Sequence, residues 1–196
     1  MKRLLDITGA LAGLVVLAPL LIAVWGAVVL KSGLPGLFRQ QRIGRGRCEF
    51  TLYKFRTMTV RRGAECGSFD VGNIDCVTRI GKLLRKTKLD ELPQLWNVFR
   101  GDMALVGPRP EVRKWVEAYP ARWEKVLTVR PGLTDPASIE FRHEEKMLAQ
   151  ATDPEQYYRD VILPRKLDLY ERYIATHTLV GDIRILFKTV WAVLSR

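Results

Sequence analysis

Lys88-Leu89-Asp90-Glu91-Leu92-Pro93-Gln94-Leu95-Trp96-Asn97-Val98-Phe99-Arg100-Gly101-Asp102-Met103-Ala104-Leu105-Val106-Gly107-Pro108-Arg109-Pro110 is the stretch around which this chain is organised. Two adjacent carboxylates open a helical pattern, a glycine closes it, and an apolar run then delivers an arginine between two prolines. Asp90 suits an N-cap, and Pro93 is tolerable because first-turn N–H groups have no intrahelical partner. Leu92, Leu95, Trp96 and Phe99 recur at three- and four-residue spacing, which predicts one face on a core while the Asp90 end stays accessible. Gly101 supplies the stop.

Upstream, Thr78–Lys88 reads as a basic helix, with Ile80, Leu83 and Leu84 inward. Val60–Cys76, with Gly63, Gly67 and Gly72, reads as a loop. Phe50–Met58 alternates apolar and polar positions as a strand does, with Lys54 and Arg56 on one face where two cations can clamp a phosphate. Leu37–Gly46 mixes apolar and basic residues and is expected to face lipid at the interface. No charged side chain lies between Asp6 and Lys31, a run long enough to cross a bilayer as a helix. Pro19 divides it into halves of roughly 12 residues, each about 18 Å long. Lys2 and Arg3 precede the run, and Lys31, Arg39, Arg42, Arg45 and Arg47 follow it. Basic residues mark the cytoplasmic side, so charge places both ends there and favours a re-entrant helix-break-helix over a kinked spanning helix. A cleaved signal peptide fits less well, because the run is too long and lacks a small-residue cleavage site.

Downstream, Glu111–Leu127 is an amphipathic helical region interrupted near Pro120, and Trp115 and Trp123 are expected at the headgroup level. Glu155–Ala175 is a long helical pattern that Pro164 kinks or divides. Leu179–Leu194 collects Ile183, Phe187, Val190 and Trp191 on one face and is expected to lie on the membrane or pack on the core. These elements make the fold class α+β, mainly helical, with a short β element. Residues 1–31 form the anchor, and 32–196 form a catalytic domain with a C-terminal amphipathic helix.

Thirty-two Lys and Arg against 21 Asp and Glu give a formal charge of +11, which implies an anionic partner. Nucleic acid fits the charge, but no nucleic-acid-binding module is recognisable and the apolar segment would go unexplained. Cys48, Cys66 and Cys76 form neither a CxxC nor an even disulfide set, so reduced thiols are expected. His143 and His177 lack metal-spaced partners and read as structural.

In family order, the chain also carries Phe38-Arg39-Gln40-Gln41-Arg42-Ile43-Gly44, Tyr53-Lys54-Phe55-Arg56-Thr57-Met58, Asp90-Glu91-Leu92-Pro93-Gln94, Gly101-Asp102-Met103, Val106-Gly107-Pro108-Arg109-Pro110 and Arg130-Pro131-Gly132-Leu133-Thr134. With the proline-broken N-terminal segment, this set resembles the bacterial sugar transferase family, the small monotopic phosphoglycosyl transferases. The resemblance implies transfer of a phosphosugar from a UDP-sugar to polyprenyl (undecaprenyl) phosphate at the bacterial inner membrane, with the catalytic domain facing the cytoplasm. It further implies Asp90 as nucleophile, Glu91 as general base, and Mg²⁺ held by Asp90 with Asp168 as a second acidic candidate. Arg109, Lys54, Arg56 and Arg130 are the expected phosphate ligands. A salt bridge from Asp168 to Arg165 or Arg172 competes with the metal role. Many members follow the Pro-Gly-Ile-Thr stretch with Gly-Trp-Ala-Gln or similar, whereas here Thr134 is followed by Asp135-Pro136-Ala137-Ser138-Ile139, and Ala18 stands before Pro19 where some relatives have serine. The identity of the sugar and the oligomeric state, a homodimer included, stay open. A non-catalytic module that binds anionic lipid would also explain the charge and the apolar segment, but not the Asp-Glu pair with its proline-flanked arginine.

Overall fold

The computed structural model describes residues 1–59 and 76–195; Cys66 and the expected loop up to residue 75 lie outside them. The apolar segment forms two helices, α1 (Lys2–Val16) and α2 (Ala18–Ser32), bent by 62° at a break of one residue. Pro19 sits in the first turn of α2, where a missing N–H costs no helical bond. Each helix has 15 residues, about 22 Å at ~1.5 Å per residue. No single described helix is long and apolar enough to cross a membrane, while the bent pair passes together by length and composition. Leu5, Leu11, Val16, Ile22 and Leu30 are exposed. The other side of α1 joins a core, Ala10 packing with Leu52, Leu95, Val98 and Met103. Val24 and Val28 of α2 pack with Phe55 and Leu84.

Next come β1 (Leu37–Ile43) and β2 (Glu49–Phe55), an antiparallel hairpin with Leu37 opposite Phe55 and Ile43 opposite Glu49. Leu37–Gly46 thus takes strand and turn geometry. Its mixed composition is that of a strand, with Gln40 buried between exposed Arg39 and Gln41 and Ile43 buried at the end, and cross-strand pairing satisfies its backbone. β2 also stops earlier than expected. The Arg56 N–H turns to the Gly36 carbonyl at 3.1 Å. Its guanidinium donates to the carbonyls of Ser32, Gly33 and Leu34. Arg56 therefore closes the C-terminal end of α2, where free carbonyls favour a cation.

α3 (Arg79–Thr87) starts at Thr78, whose hydroxyl accepts the Gly81 N–H at 3.0 Å. Leu84 is buried as expected, but Leu83, a step of ~100° round the helix, is 59% exposed. At Lys88 the backbone turns left-handed, and a single 3₁₀ turn over Leu89–Glu91 leads through Pro93 into α4 (Gln94–Arg100). Asp90 thus lies in an elbow between two helices and caps neither, which corrects the expected N-cap. The cause is local: Glu91 N–H to Lys88 carbonyl at 3.2 Å and Leu92 N–H to Leu89 carbonyl at 3.3 Å close the tighter turn. The buried face of α4 is also rotated from expectation, comprising Gln94, Leu95, Asn97 and Val98, with Trp96 46% exposed. Gly101 ends α4 at φ 106, a conformation that a side chain disfavours.

β3 (Ala104–Val106) pairs in parallel with β4 (Gly132–Thr134). A Cβ on Gly132 would lie 2.1 Å from the Gly107 nitrogen, so this crossing requires glycine. The C-terminal lobe comprises α5 (Arg113–Ala118), α6 (Pro120–Val126), α7 (Pro136–Glu140), α8 (Glu144–Ala149), α9 (Pro154–Tyr157) and α10 (Leu163–Thr176). A π-helical turn over Tyr158–Ile162 divides the long pattern ahead of Pro164, which falls in the first turn of α10. Trp115 and Trp123 are not at a headgroup level: each is 1% exposed. They stack instead on Tyr158 and Tyr170, with ring centroids 4.9 and 6.2 Å apart. α11 (Leu179–Leu194) keeps Ile183, Phe187, Val190 and Trp191 exposed.

Candidate active site

The elbow places Asp90 and Glu91 side by side in different surroundings. Glu91 takes Arg109 in a fork, Nη2 to Oε1 at 2.5 Å and Nη1 to Oε2 at 3.3 Å, and Lys54 Nζ also reaches Oε1 at 3.3 Å. Burial alone would push the Glu91 carboxyl up, but Arg109 first, then Lys54 and Lys88, hold it well below the usual carboxylate range. Asp90 is buried, and its Oδ1 has no hydrogen-bond partner. Burial and the charge of Glu91 push its carboxyl up, against the pull of Lys54, Lys88 and Arg85. One carboxylate is thus neutralised by fixed cations while its neighbour keeps an unspent, poorly solvated oxygen.

Lys54 reaches the site from β2. Burial lowers its ammonium to about 8 despite Glu91, with Arg109 adding to the fall. Its strand is positioned by Asn97, whose Nδ2 donates to the Thr51 carbonyl at 2.7 Å and whose Oδ1 accepts the Tyr53 N–H at 3.2 Å. Arg109 follows Pro108 just after β3 and is backed by Asp135 at the end of β4. These pieces gather the Asp90-Glu91 elbow, the open end of the hairpin and the Gly-Pro-Arg-Pro turn at one place, and a family model of bacterial sugar transferases matches residues 1–196.

The chain belongs to the bacterial sugar transferase family. A UDP-glucose:undecaprenyl-phosphate glucose-1-phosphate transferase of Caulobacter vibrioides is 38% identical over 99% of this chain and 70% of that protein. A UDP-N-acetylgalactosamine-undecaprenyl-phosphate N-acetylgalactosaminephosphotransferase of Aeromonas hydrophila is 34% identical over 99% of this chain and 44% of its own length. An undecaprenyl-phosphate galactose phosphotransferase of Salmonella typhimurium is 34% identical over the whole chain and 41% of its own length. The chain therefore spans less than half of the latter two relatives.

The remaining residues expected in this family's site fall elsewhere. Arg56 closes α2, so it does not act with Lys54 from one strand face. Arg130 donates from Nε to the Gly101 carbonyl at 2.9 Å and lines a separate cavity. Asp168 is a surface carboxylate paired with Arg122 at 2.6 Å. The partner expected on its own helix is replaced by one on α6, because Arg122 also reaches Glu171 at 2.8 Å, one turn along α10. Among the described residues no group of three or more His, Cys, Asp and Glu is arranged to hold a metal. Asp135, where this chain departs from many members, is fully buried and caps α7, accepting the Ser138 N–H at 2.9 Å. Asn97 is a site residue that sequence reasoning missed. The predicted Leu92, Leu95, Trp96 and Phe99 face leaves it on the opposite side of the helix, and only the rotation of the buried face brings its amide inside, where it demands partners.

Proposed function

We propose that this chain transfers a phosphosugar from a UDP-sugar to a polyprenyl phosphate at the cytoplasmic face of the bacterial inner membrane. The unpartnered, buried Oδ1 of Asp90 beside cation-neutralised Glu91 carries this reading, with the relatives' names supporting the substrate classes. Asp90 attacks the sugar-bearing phosphorus, forming an aspartyl-phosphosugar bond as the diphosphate bond breaks and UMP leaves. An oxygen of polyprenyl phosphate then attacks the same phosphorus, releasing the Asp90 carboxylate and leaving a polyprenyl diphosphosugar. Covalent catalysis of this kind divides one difficult step into two.

Glu91, kept ionised, holds Arg109 and Lys54 where phosphate charge gathers and acts as base toward the acceptor. A phosphate monoester has its second pKa near 6, so at neutral pH only a residual proton has to be taken. Arg109 can present its fork to phosphate oxygens, the geometry that suits them best.

Mg²⁺ fits Asp90, because a buried anionic oxygen without a donor suits a hard cation that takes one or two carboxylates plus substrate phosphates and water. When bound, it would offset the charge of the diphosphate. Asp168 is not needed for that fit.

The test is UMP release from a panel of UDP-sugars with Mg²⁺ and polyprenyl phosphate. The wild type releases UMP from at least one donor and, without acceptor, gains the mass of a phosphosugar on the peptide containing Asp90. Asp90→Asn does neither, while melting no lower than wild type because it removes a buried unpaired charge. Equal turnover by Asp90→Asn would overturn the nucleophile assignment.

A further inference from the structure

A cavity of about 370 Å³ is lined by residues the Asp90 cluster does not use. Lys2, Arg3, Arg45 and Arg130 line it against one carboxylate, Asp6, whose Oδ1 already accepts the Leu105 N–H at 3.0 Å. Lys2 pairs with Asp182. Arg3 spends its donors on the main-chain carbonyls of Val98, Phe99 and Met103 and forms no ion pair among the described residues. Arg130 commits Nε to Gly101, and its terminal nitrogens have no partner among the described residues. Arg45 is exposed and has no ion-pair partner among them. Cations that outnumber the carboxylates around a cavity select an anion, and guanidinium forks match phosphate oxygens.

The position of the cavity narrows the anion. Lining residue Arg3 is followed by exposed Leu4 and Leu5 on α1, and lining residue His177 precedes exposed Val180 and Ile183 on α11. The basic cavity therefore lies between the starts of two helices whose neighbouring exposed residues are apolar, which places phosphate-binding groups beside a surface suited to acyl or prenyl chains.

We infer that this cavity binds the phosphate headgroup of a membrane lipid, at a site separate from Asp90 and Glu91. The inference rests on the membrane-level reading above. Calorimetric titration of the detergent-purified full chain uses three soluble probes: dihexanoylphosphatidylglycerol, geranyl phosphate and, as zwitterionic control, dihexanoylphosphatidylcholine. At least one anionic probe is expected to bind tenfold or more tightly than the control. Arg45→Glu weakens that binding at least tenfold and Arg45→Gln less so, while Arg47→Glu, which reverses an exposed charge that does not line the cavity, changes it less than twofold. A phosphatidylglycerol response assigns the site to a bilayer phospholipid, and a geranyl phosphate response assigns it to a prenyl phosphate held apart from Asp90. Absence of binding, equal binding of the control, or equal losses in Arg45→Glu and Arg47→Glu would overturn the site. UMP release measured on the same preparation separates the two readings: release without lipid binding sinks this site alone, and binding without release sinks the transferase alone.

Discussion

Glu91 Oε1 accepts Arg109 Nη2 at 2.5 Å and Lys54 Nζ at 3.3 Å, so one carboxylate oxygen holds cations from the Pro-Arg-Pro turn and from β2. Removing one member leaves buried charge uncompensated. Arg109→Ala is expected to cost about 3 kcal/mol, the low end for breaking a buried pair because Lys54 remains, seen as a melting temperature lower by about 6–12 °C. Adding Glu91→Gln to Arg109→Met should recover part of that loss. The Glu91 carboxyl lies below its unfolded value of 4.5, so its contribution is present above that pH and is lost as pH falls through the depressed value. Melting of wild type should thus fall more steeply below pH 4.5 than melting of the double variant.

Lys54 titrates at about 8 instead of 10.5. A lysine with a lowered folded value adds stability as pH rises from 8 toward 10.5, because there the unfolded chain binds the extra proton. Activity should move the other way, since the ammonium that meets phosphate is lost. The expected kcat/KM profile falls above pH 8, and Lys54→Arg flattens that limb up to pH 10. An unchanged limb in Lys54→Arg would assign it to another group.

The hairpin strand β2, the breaks near Pro19 and Pro120 and the stop at Gly101 were legible because each follows from one local rule, alternation, a missing N–H or a positive φ. The Asp90-Glu91-Arg109 set was legible as an ordered motif, but its division of labour was not. Asp90 and Glu91 are adjacent in sequence, and only the cations brought by β2 and the Pro-Arg-Pro turn make them differ. Arg56 illustrates the same limit: alternation puts it beside Lys54, yet the end of α2 offers carbonyls that bind it more directly. Trp115 and Trp123 fit an interfacial belt by composition, and only the placement of Tyr158 and Tyr170 decides for the core.

Asn97 couples fold to site. Its amide serves the Thr51 carbonyl and the Tyr53 N–H, just ahead of Lys54 on β2, and it also reaches Asp102 at 3.1 Å. Asn97→Ala leaves two buried backbone groups unpaired and is expected to cost about 2 kcal/mol. It should also lower kcat/KM with native substrate through displacement of Lys54, and flatten the limb above pH 8. A melting loss with an unaltered pH profile would confine Asn97 to a structural role.

The two ends of the bent N-terminal pair are clamped to the same body. Arg3 at the start of α1 donates to Val98, Phe99 and Met103 carbonyls around α4, and Arg56 at the end of β2 holds the Ser32 and Gly33 carbonyls that end α2. A helix pair fastened at both ends to one globular unit is expected to keep both ends on one face of a bilayer, as the basic residues at both ends also predict. Cysteines at Leu4 and at Leu34, both exposed, introduced with Cys48 and Cys66 replaced by serine, should therefore react with a membrane-impermeant maleimide in inverted vesicles and stay unlabelled in intact cells. Labelling of the two positions from opposite sides would make the segment a spanning helix and would require the Arg3 and Arg56 clamps to be open in the membrane.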